Sequence, residues 1–356
     1  MRQLFAGAAT RRRALLLGVA AVLSAVFVST SGATFGGSNG RITFARFVPA
    51  TNSGEIFSAS ATGTGVTQLT SSGQNHSSLF SDWSPDGNTI AFDSDRPGDG
   101  TGDVQIWTMA WNGAGQTQLT TGPGFHGDPS WFPGGSQLAI EADWGDYPAL
   151  EGVWLIPSSD ADGVTQNEAT RVTATPSTAM FDEEPQVSPT GDWIAFTRVK
   201  SCSDIPNGRL AGAPHGCISA IFVVHPDGTG LRQLTGWGLN ADEPDFSADG
   251  QKIVFDTCDS GRPGCKGAIY VMNADGSGMK RIVDSPPVGD VGQNFANFRF
   301  DFRNNPTWSP DGTKIMYTHW VPGGTELVTV NPDGSGESTV VDGNFFQNWP
   351  DWGTHP

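Results

Sequence analysis

Residues able to do chemistry gather ahead of a recurring proline. His126 and Asp128 precede Pro129, and Asp182, Glu183 and Glu184 precede Pro185. Asp242 and Glu243 precede Pro244, Asn304 and Asn305 precede Pro306, and Asn348 and Trp349 precede Pro350. Three of these stretches supply six carboxylates. Brought together, they would bind a cation, a basic peptide or a polar ligand. Carboxylates with an amide also suit a hard metal ion that activates water or polarises a substrate. The alternative is a solvated acidic surface whose carboxylates accept hydrogen bonds from loop amides.

A second acidic stretch, "DRPGDGTGD", puts Asp95, Asp99, Gly100 and Asp103 at positions one, five, six and nine of a calcium-loop pattern. Pro97 stands where the third-position ligand belongs, so a solvated loop between strands is the competing reading. "GGSNG" (Gly36–Gly40) spells G-x-S-x-G but lies in a lead-in, without the strand and helix that a nucleophile elbow requires. The histidines offer no Ser/His/Asp set, and only His126 falls near the proline positions. Cys202 and Cys217, then Cys258 and Cys265, read as two local disulfides in an exported chain. Zinc is the alternative, although the spacings are not of the CxxC kind.

What must position these groups is a repeat. In Ser81–Thr120 a short strand ends at Trp83, and Ser84-Pro85-Asp86-Gly87 makes a type I turn with glycine at the left-handed position. "TIAF", "QIWTM" and "TQLT" supply three further strands. The order recurs in Asp128–Thr173, Glu184–Thr235, Glu243–Val283 and Asn305–Val341. Gly40–Thr70 carries the last three strands and lacks the first. The missing strand is "WPDWG" (Trp349–Gly353), at the far end of the chain. The expected fold is therefore all-β: a six-bladed propeller of four-stranded blades, closed by pairing the C-terminal strand with the N-terminal blade. The expected units are a leader over 1–33, a lead-in over 34–40 and the propeller over 41–356. Blade 1 takes 41–70 plus 347–353, blade 2 79–120, blade 3 126–173, blade 4 182–235, blade 5 241–283 and blade 6 303–341. Trp83, Trp131, Phe246, Trp308 and Trp352 share one repeat position, with Val187 in the remaining copy, and are expected to pack between blades. The inner strands would bring the pre-proline residues to one mouth of the central channel, where blade 2 contributes Leu79 and Phe80.

On "WSPDGxxIAF", "IYVMNxDGSG" and "RQLT" the chain resembles the TolB-like propeller family with WD40-like (PD40) repeats, over nearly all of its length after the leader. The resemblance implies a binding role and treats the repeated positions as structural. Members with a full envelope role carry an α/β domain before the propeller, which is not expected between this leader and the first blade. Six-bladed lactonases and related hydrolases give the rival reading, a metal held by Glu, Asp and Asn in the channel of a hydrolase or lyase.

Arg11, Arg12 and Arg13, an apolar run over Ala14–Val28 and the small residues Ser29–Ala33 form an export signal. The route is twin-arginine or ordinary secretory, with cleavage expected after Ala33 or the segment retained as an anchor. The chain has 37 acidic and 20 basic side chains, and Arg2, Arg11, Arg12 and Arg13 lie in the leader. Such acidity excludes nucleic acid or an anionic membrane as partner. The expectation is an exported monomer (periplasmic, envelope or secreted) that binds a protein or envelope component without catalysis. No membrane span is expected after signal removal, and no cofactor beyond a possible calcium ion.

Overall fold

The computed structural model describes residues 35–98, 100, 102–177, 180–200, 218–257, 267–285, 302–343 and 345–355. The leader, Asp99 and all four cysteines lie outside these residues. Twenty-four strands form six four-stranded antiparallel sheets arranged as blades. Blade 1 comprises β24 (Gln347–Trp352), β1 (Ile42–Val48), β2 (Ser53–Ala59) and β3 (Thr67–Gln68), in that order from the inside. Blade 2 is β4 (Ser78–Trp83) to β7 (Thr117–Gln118), and blade 3 is β8 (His126–Trp131) to β11 (Thr170–Arg171). Blade 4 is β12 (Met180–Val187) to β15 (Arg232–Gln233), and blade 5 is β16 (Ala241–Phe246) to β19 (Lys280–Asp284). Blade 6 is β20 (Phe302–Trp308) to β23 (Ser338–Val341). No helix among the described residues is long and apolar enough to cross a membrane.

Local chemistry explains each blade. After the inner strand, Ser84 Oγ accepts from Thr89 N at 2.9 Å, and Gly87 N donates to Ser84 O at 2.8 Å. Gly87 has φ +68°, a conformation in which a Cβ is strained. Ser247 and Ser309 build the same turn. At the outer edge the threonine of each "QLT" or "RVT" closes the ladder. Thr70, Thr120, Thr173 and Thr235 each accept a third-strand amide at 2.9 Å.

The core lies between blades. Trp83 packs with Ile56 and Leu69 of blade 1, and Trp131 with Ile106 and Leu119 of blade 2. Val187 packs against blade 3, Phe246 against blade 4, Trp308 against blade 5 and Trp352 against Met316, Leu327 and Val341 of blade 6. Every blade thus places its inner-strand side chain in the preceding blade. At four of the joints a polar side chain of the preceding blade also holds the amide of that same residue. Asp351 Oδ2 accepts from Trp83 N at 2.9 Å, and Asp82 Oδ2 from Trp131 N at 2.7 Å. Ser130 Oγ accepts from Val187 N at 3.1 Å, and Asp245 Oδ2 from Trp308 N at 2.7 Å.

The chain ends meet as the repeat requires. β24 pairs antiparallel with β1, Ile42 opposite Trp352 and Arg46 opposite Gln347. Gly40 N donates to Gly353 O at 3.0 Å, and the His355 ring stacks on Trp111 with centroids 4.3 Å apart. The lead-in is also anchored: Phe35 is buried and Gly37 N donates to Pro310 O at 3.1 Å. Ser38 leads through residues 39–41 into β1 with no helix after it, so no nucleophile elbow forms there.

Trp352→Ala empties the joint between blades 1 and 6 and is expected to lower unfolding free energy by about 3–5 kcal/mol in a urea titration. Deletion of residues 349–356 removes most of an inner strand and is expected to abolish cooperative melting. A truncated protein that melts at the wild-type temperature would show that the ring does not depend on this strand.

Candidate functional site

The six inner strands converge on the axis with one edge unpaired. Each carries a β-bulge at the same place, between Leu79 and Asp82, Gly127 and Ser130, Glu183 and Gln186, Asp242 and Asp245, and Asn304 and Thr307, and in β24 opposite Thr43 and Ala45. At the bulge a non-glycine residue adopts positive φ: Phe80 (43°), Asp128 (51°), Glu184 (54°), Glu243 (52°), Asn305 (54°) and Trp349 (50°). Such a conformation costs on the order of 1–3 kcal/mol per residue and persists only where the surroundings enforce it. Repetition in all six blades makes the bulge a feature of the ring. A bulge turns the edge aside, and the proline that follows in five blades removes a donor from it.

These residues line a cavity of about 100 Å³ in the channel. Its layers follow the sequence. Phe80, Asp128, Glu184, Glu243, Asn305 and Trp349 form the first ring, Ser81 and five prolines a waist, and Asp82, Gln186, Asp245, Thr307 and Asp351 lie beyond. No histidine, cysteine, lysine or arginine is among the described lining residues.

Amides of the bulge residues are held from the preceding blade. Glu243 N donates to Glu184 Oε2 at 3.0 Å, and Asn305 N to Asp256 Oδ2 at 2.7 Å. Thr197 Oγ1 also donates to Glu184 Oε2 at 3.0 Å, which fixes that carboxylate. Glu183, Glu184 and Asp242 bring one oxygen each within 4.8 Å of one another, a spacing that a single metal ion can bridge.

So many carboxylates in one place resist ionisation. Burial, then the charges of Glu141, Asp93 and Glu184, hold the Asp128 carboxyl well above its usual range. Burial, then Glu184, Glu141 and Asp242, does the same to Glu183. Asp82 is raised by burial and by Asp351, to which it is hydrogen-bonded, and burial lifts Asp351 to about 6. Burial lifts Asp93 to about 8, against the amide hydrogen bonds from Leu79 and Asp128 that favour its charged form.

The structure separates the residues singled out by sequence. Asp128, Glu184, Glu243, Asn305 and Trp349 line the cavity, and Glu183 and Asp242 join Glu184 in the acidic trio. His126 is fully buried, with Nδ1 2.7 Å from Gln105 Oε1 and its ring against Trp144. Asp182 is buried in an ion pair with Arg198 at 2.5 Å. Asn348 is half-buried beside Trp349, outside the cavity lining. In the other acidic loop, Asp95 accepts from Ser77 N at 2.5 Å and Asp103 from Gly124 N at 3.1 Å, so both carboxylates brace blade connections. Sequence reading missed Asp93, Glu141 and Asp256, which lie on second strands. The only signal for them is a carboxylate within an otherwise apolar strand, as in "IAFDS" and "IVFDT".

Architecture and channel define a six-bladed propeller with an acidic axial site. In fold the chain is TolB-like. It matches TolB from Acinetobacter baumannii with a TM-score of 0.63 at 16% identity, covering 88% of this chain and 66% of that one. It matches a putative TolB from Agrobacterium tumefaciens with a TM-score of 0.54 at 18% identity, covering 89% and 99%. By sequence it is 25% identical over 186 residues to an uncharacterized peptidase, YuxL, of Bacillus subtilis (strain 168), covering 51% of this chain. The match spans only 22% of that peptidase's length. No family model matches the chain.

The raised carboxyls set a pH dependence. Asp93 binds its proton more tightly folded than unfolded, where its pKa is near 3.8. Its stabilising contribution is therefore complete below about pH 4 and lost as pH rises through about 8. In metal-free buffer the melting temperature is expected to fall between pH 6 and pH 9, and Asp93→Asn to flatten that fall. An Asp93→Asn profile parallel to wild type would contradict the assignment.

Proposed function

We propose that this chain is an exported propeller that acts as a non-catalytic scaffold, binding a protein or envelope component at its channel mouth, with calcium held by Glu183, Glu184 and Asp242. One observation carries the reading: Glu183, Glu184 and Asp242 bring one oxygen each within 4.8 Å of one another, and Glu184 also lines the axial cavity, which has no lysine or arginine among its described lining residues. Oxygen-only ligands suit a hard divalent cation. Bound there, calcium supplies the positive charge that lets neighbouring carboxyls ionise. The leader supports export, and the net charge of −17 supports a partner that presents positive charge rather than nucleic acid. The placement of His126, away from the channel and tied to Gln105, supports a non-catalytic role.

A metal-dependent hydrolase or lyase in the same channel is the second reading. It is favoured by Asp128, whose raised pKa suits a general acid beside a metal. Calorimetric titration of the metal-free protein with calcium chloride tests the shared premise. One ion per chain is expected, with an affinity like that of extracellular calcium modules, about 10⁻⁴–10⁻³ M, and with protons released on binding. The Glu183→Gln/Asp242→Asn double variant is expected to lose this binding and the capture of its partner from envelope extract. Calcium binding unchanged in the double variant would overturn the assignment of the trio. Turnover of an ester or uronide substrate panel that depends on calcium or manganese and on Asp128 would favour the second reading.

A further inference from the structure

In the first ring of the cavity the carboxylates Asp128, Glu184 and Glu243 occupy one side only. Round the ring, the six bulge positions read Trp349, Phe80, Asp128, Glu184, Glu243 and Asn305. The two aromatic side chains sit on adjacent blades, with ring centroids 4.5 Å apart and planes tilted by 41°. Both are partly exposed and line the cavity. Neither belongs to the cores that join blades 1 and 2 or blades 1 and 6, which are built on Trp83 and Trp352. The backbone strain at these two positions therefore presents apolar rings to the channel, where the other four blades present polar groups.

Asn305 adjoins Trp349 round the ring. It is 5% exposed, and neither its Oδ1 nor its Nδ2 has a hydrogen-bond partner. Buried amides nearly always find partners, so an amide unsatisfied by protein on both atoms and facing a cavity is available to a polar group that enters it. A metal ion gains little from two aromatic rings, and a neutral sugar can hydrogen-bond the carboxylates but leaves their charge uncompensated. An alkylammonium group uses all three features. Its charge is attracted to the ring faces and the carboxylates, its carbons pack on the rings, and a neighbouring polar group meets the amide.

We propose that the channel mouth is a receptor for an alkylammonium group, held between the Phe80–Trp349 pair and Glu184 and Glu243, with Asn305 hydrogen-bonding a polar group beside it. This rests on the reading of the channel mouth as the binding site. The cavity of about 100 Å³ admits a head group or the end of a side chain, not a folded element. The same chemistry comes from a free quaternary ammonium compound or from a lysine side chain of a partner.

Calorimetry of the metal-free protein in low salt tests the proposal with three probes: choline, N-acetyl-lysine methylamide and the uncharged choline isostere 3,3-dimethylbutan-1-ol. At least one ammonium probe is expected to bind saturably, with the uncharged isostere about tenfold weaker or worse. Preference for choline assigns a free quaternary ligand, and preference for the lysine derivative assigns a partner's side chain. Trp349→Ala, Glu243→Gln and Asn305→Ala are each expected to weaken binding severalfold, while Trp349→Phe retains most of it. Should Trp349→Ala fail to fold, Phe80→Leu provides the same readout. Failure of both ammonium probes to bind, equal binding of the isostere, or full affinity in a folded variant lacking one of the rings would overturn the proposal. Calcium titrated into the same sample separates the two readings: calcium binding without ammonium binding sinks this inference alone, and neither binding sinks both.

Discussion

The side chain at the end of each inner strand has no room within its own sheet. Trp83, Trp131, Val187, Phe246, Trp308 and Trp352 are buried only because the preceding blade receives them. A four-stranded sheet with two apolar faces is unstable alone, and this insertion makes each blade depend on its neighbour. In a ring, that dependence has no first or last member. Trp352 must reach blade 6 from a strand paired to blade 1, which is why the chain ends share a sheet.

Closure creates the site. Six inner strands meeting at an axis leave six edges with backbone groups facing one another across a narrow space. Prolines and left-handed bulges blunt these edges, and the bulges also decide which side chains face the channel. Carboxylates that hold amides across blade joints, such as Glu184 on Glu243 N and Asp256 on Asn305 N, are thereby crowded about the axis. Several answer by keeping protons, which is how burial and mutual repulsion act on Asp82, Asp93, Asp128 and Glu183. A proton and a bound cation are alternative ways to neutralise the same cluster, so stability, pH and cation binding are linked by one balance of charge.

The fold was legible in the sequence because its punctuation repeats. Ser-Pro-Asp-Gly turns, the inner-strand aromatic and the "QLT" threonine each mark a fixed place in a blade, and the absence of the first two from the N-terminal copy, which keeps its Thr70, points to the C-terminal strand. The site was legible only in part. Strand alternation puts Asp182 and Glu184 on one face, as it does His126 and Asp128. The bulge breaks that parity, so Glu184 and Asp128 face the channel while Asp182 meets Arg198 and His126 meets Gln105. Nothing in "DEEP" or "HGDP" signals a left-handed residue, because the strain is imposed by the ring. Likewise Asp95 and Asp103 look like cation ligands by type, and nothing in the sequence signals that each also accepts a backbone amide from a neighbouring connection.

A repeat protein separates what holds it together from what it can do. Positions that carry the ring accept little variety: an aromatic or valine between blades, a polar acceptor beside it, a proline at the waist. Apart from Glu184, whose carboxylate holds Glu243 N across a joint, the bulge position shapes the edge through its backbone rather than its side chain. It is free to differ from blade to blade, and it does, from Phe80 and Trp349 through Asn305 to Asp128, Glu184 and Glu243. A symmetric fold cannot recognise an asymmetric ligand until its symmetry is broken. Here that break falls on the ring of side chains that the strained backbone aims at the axis.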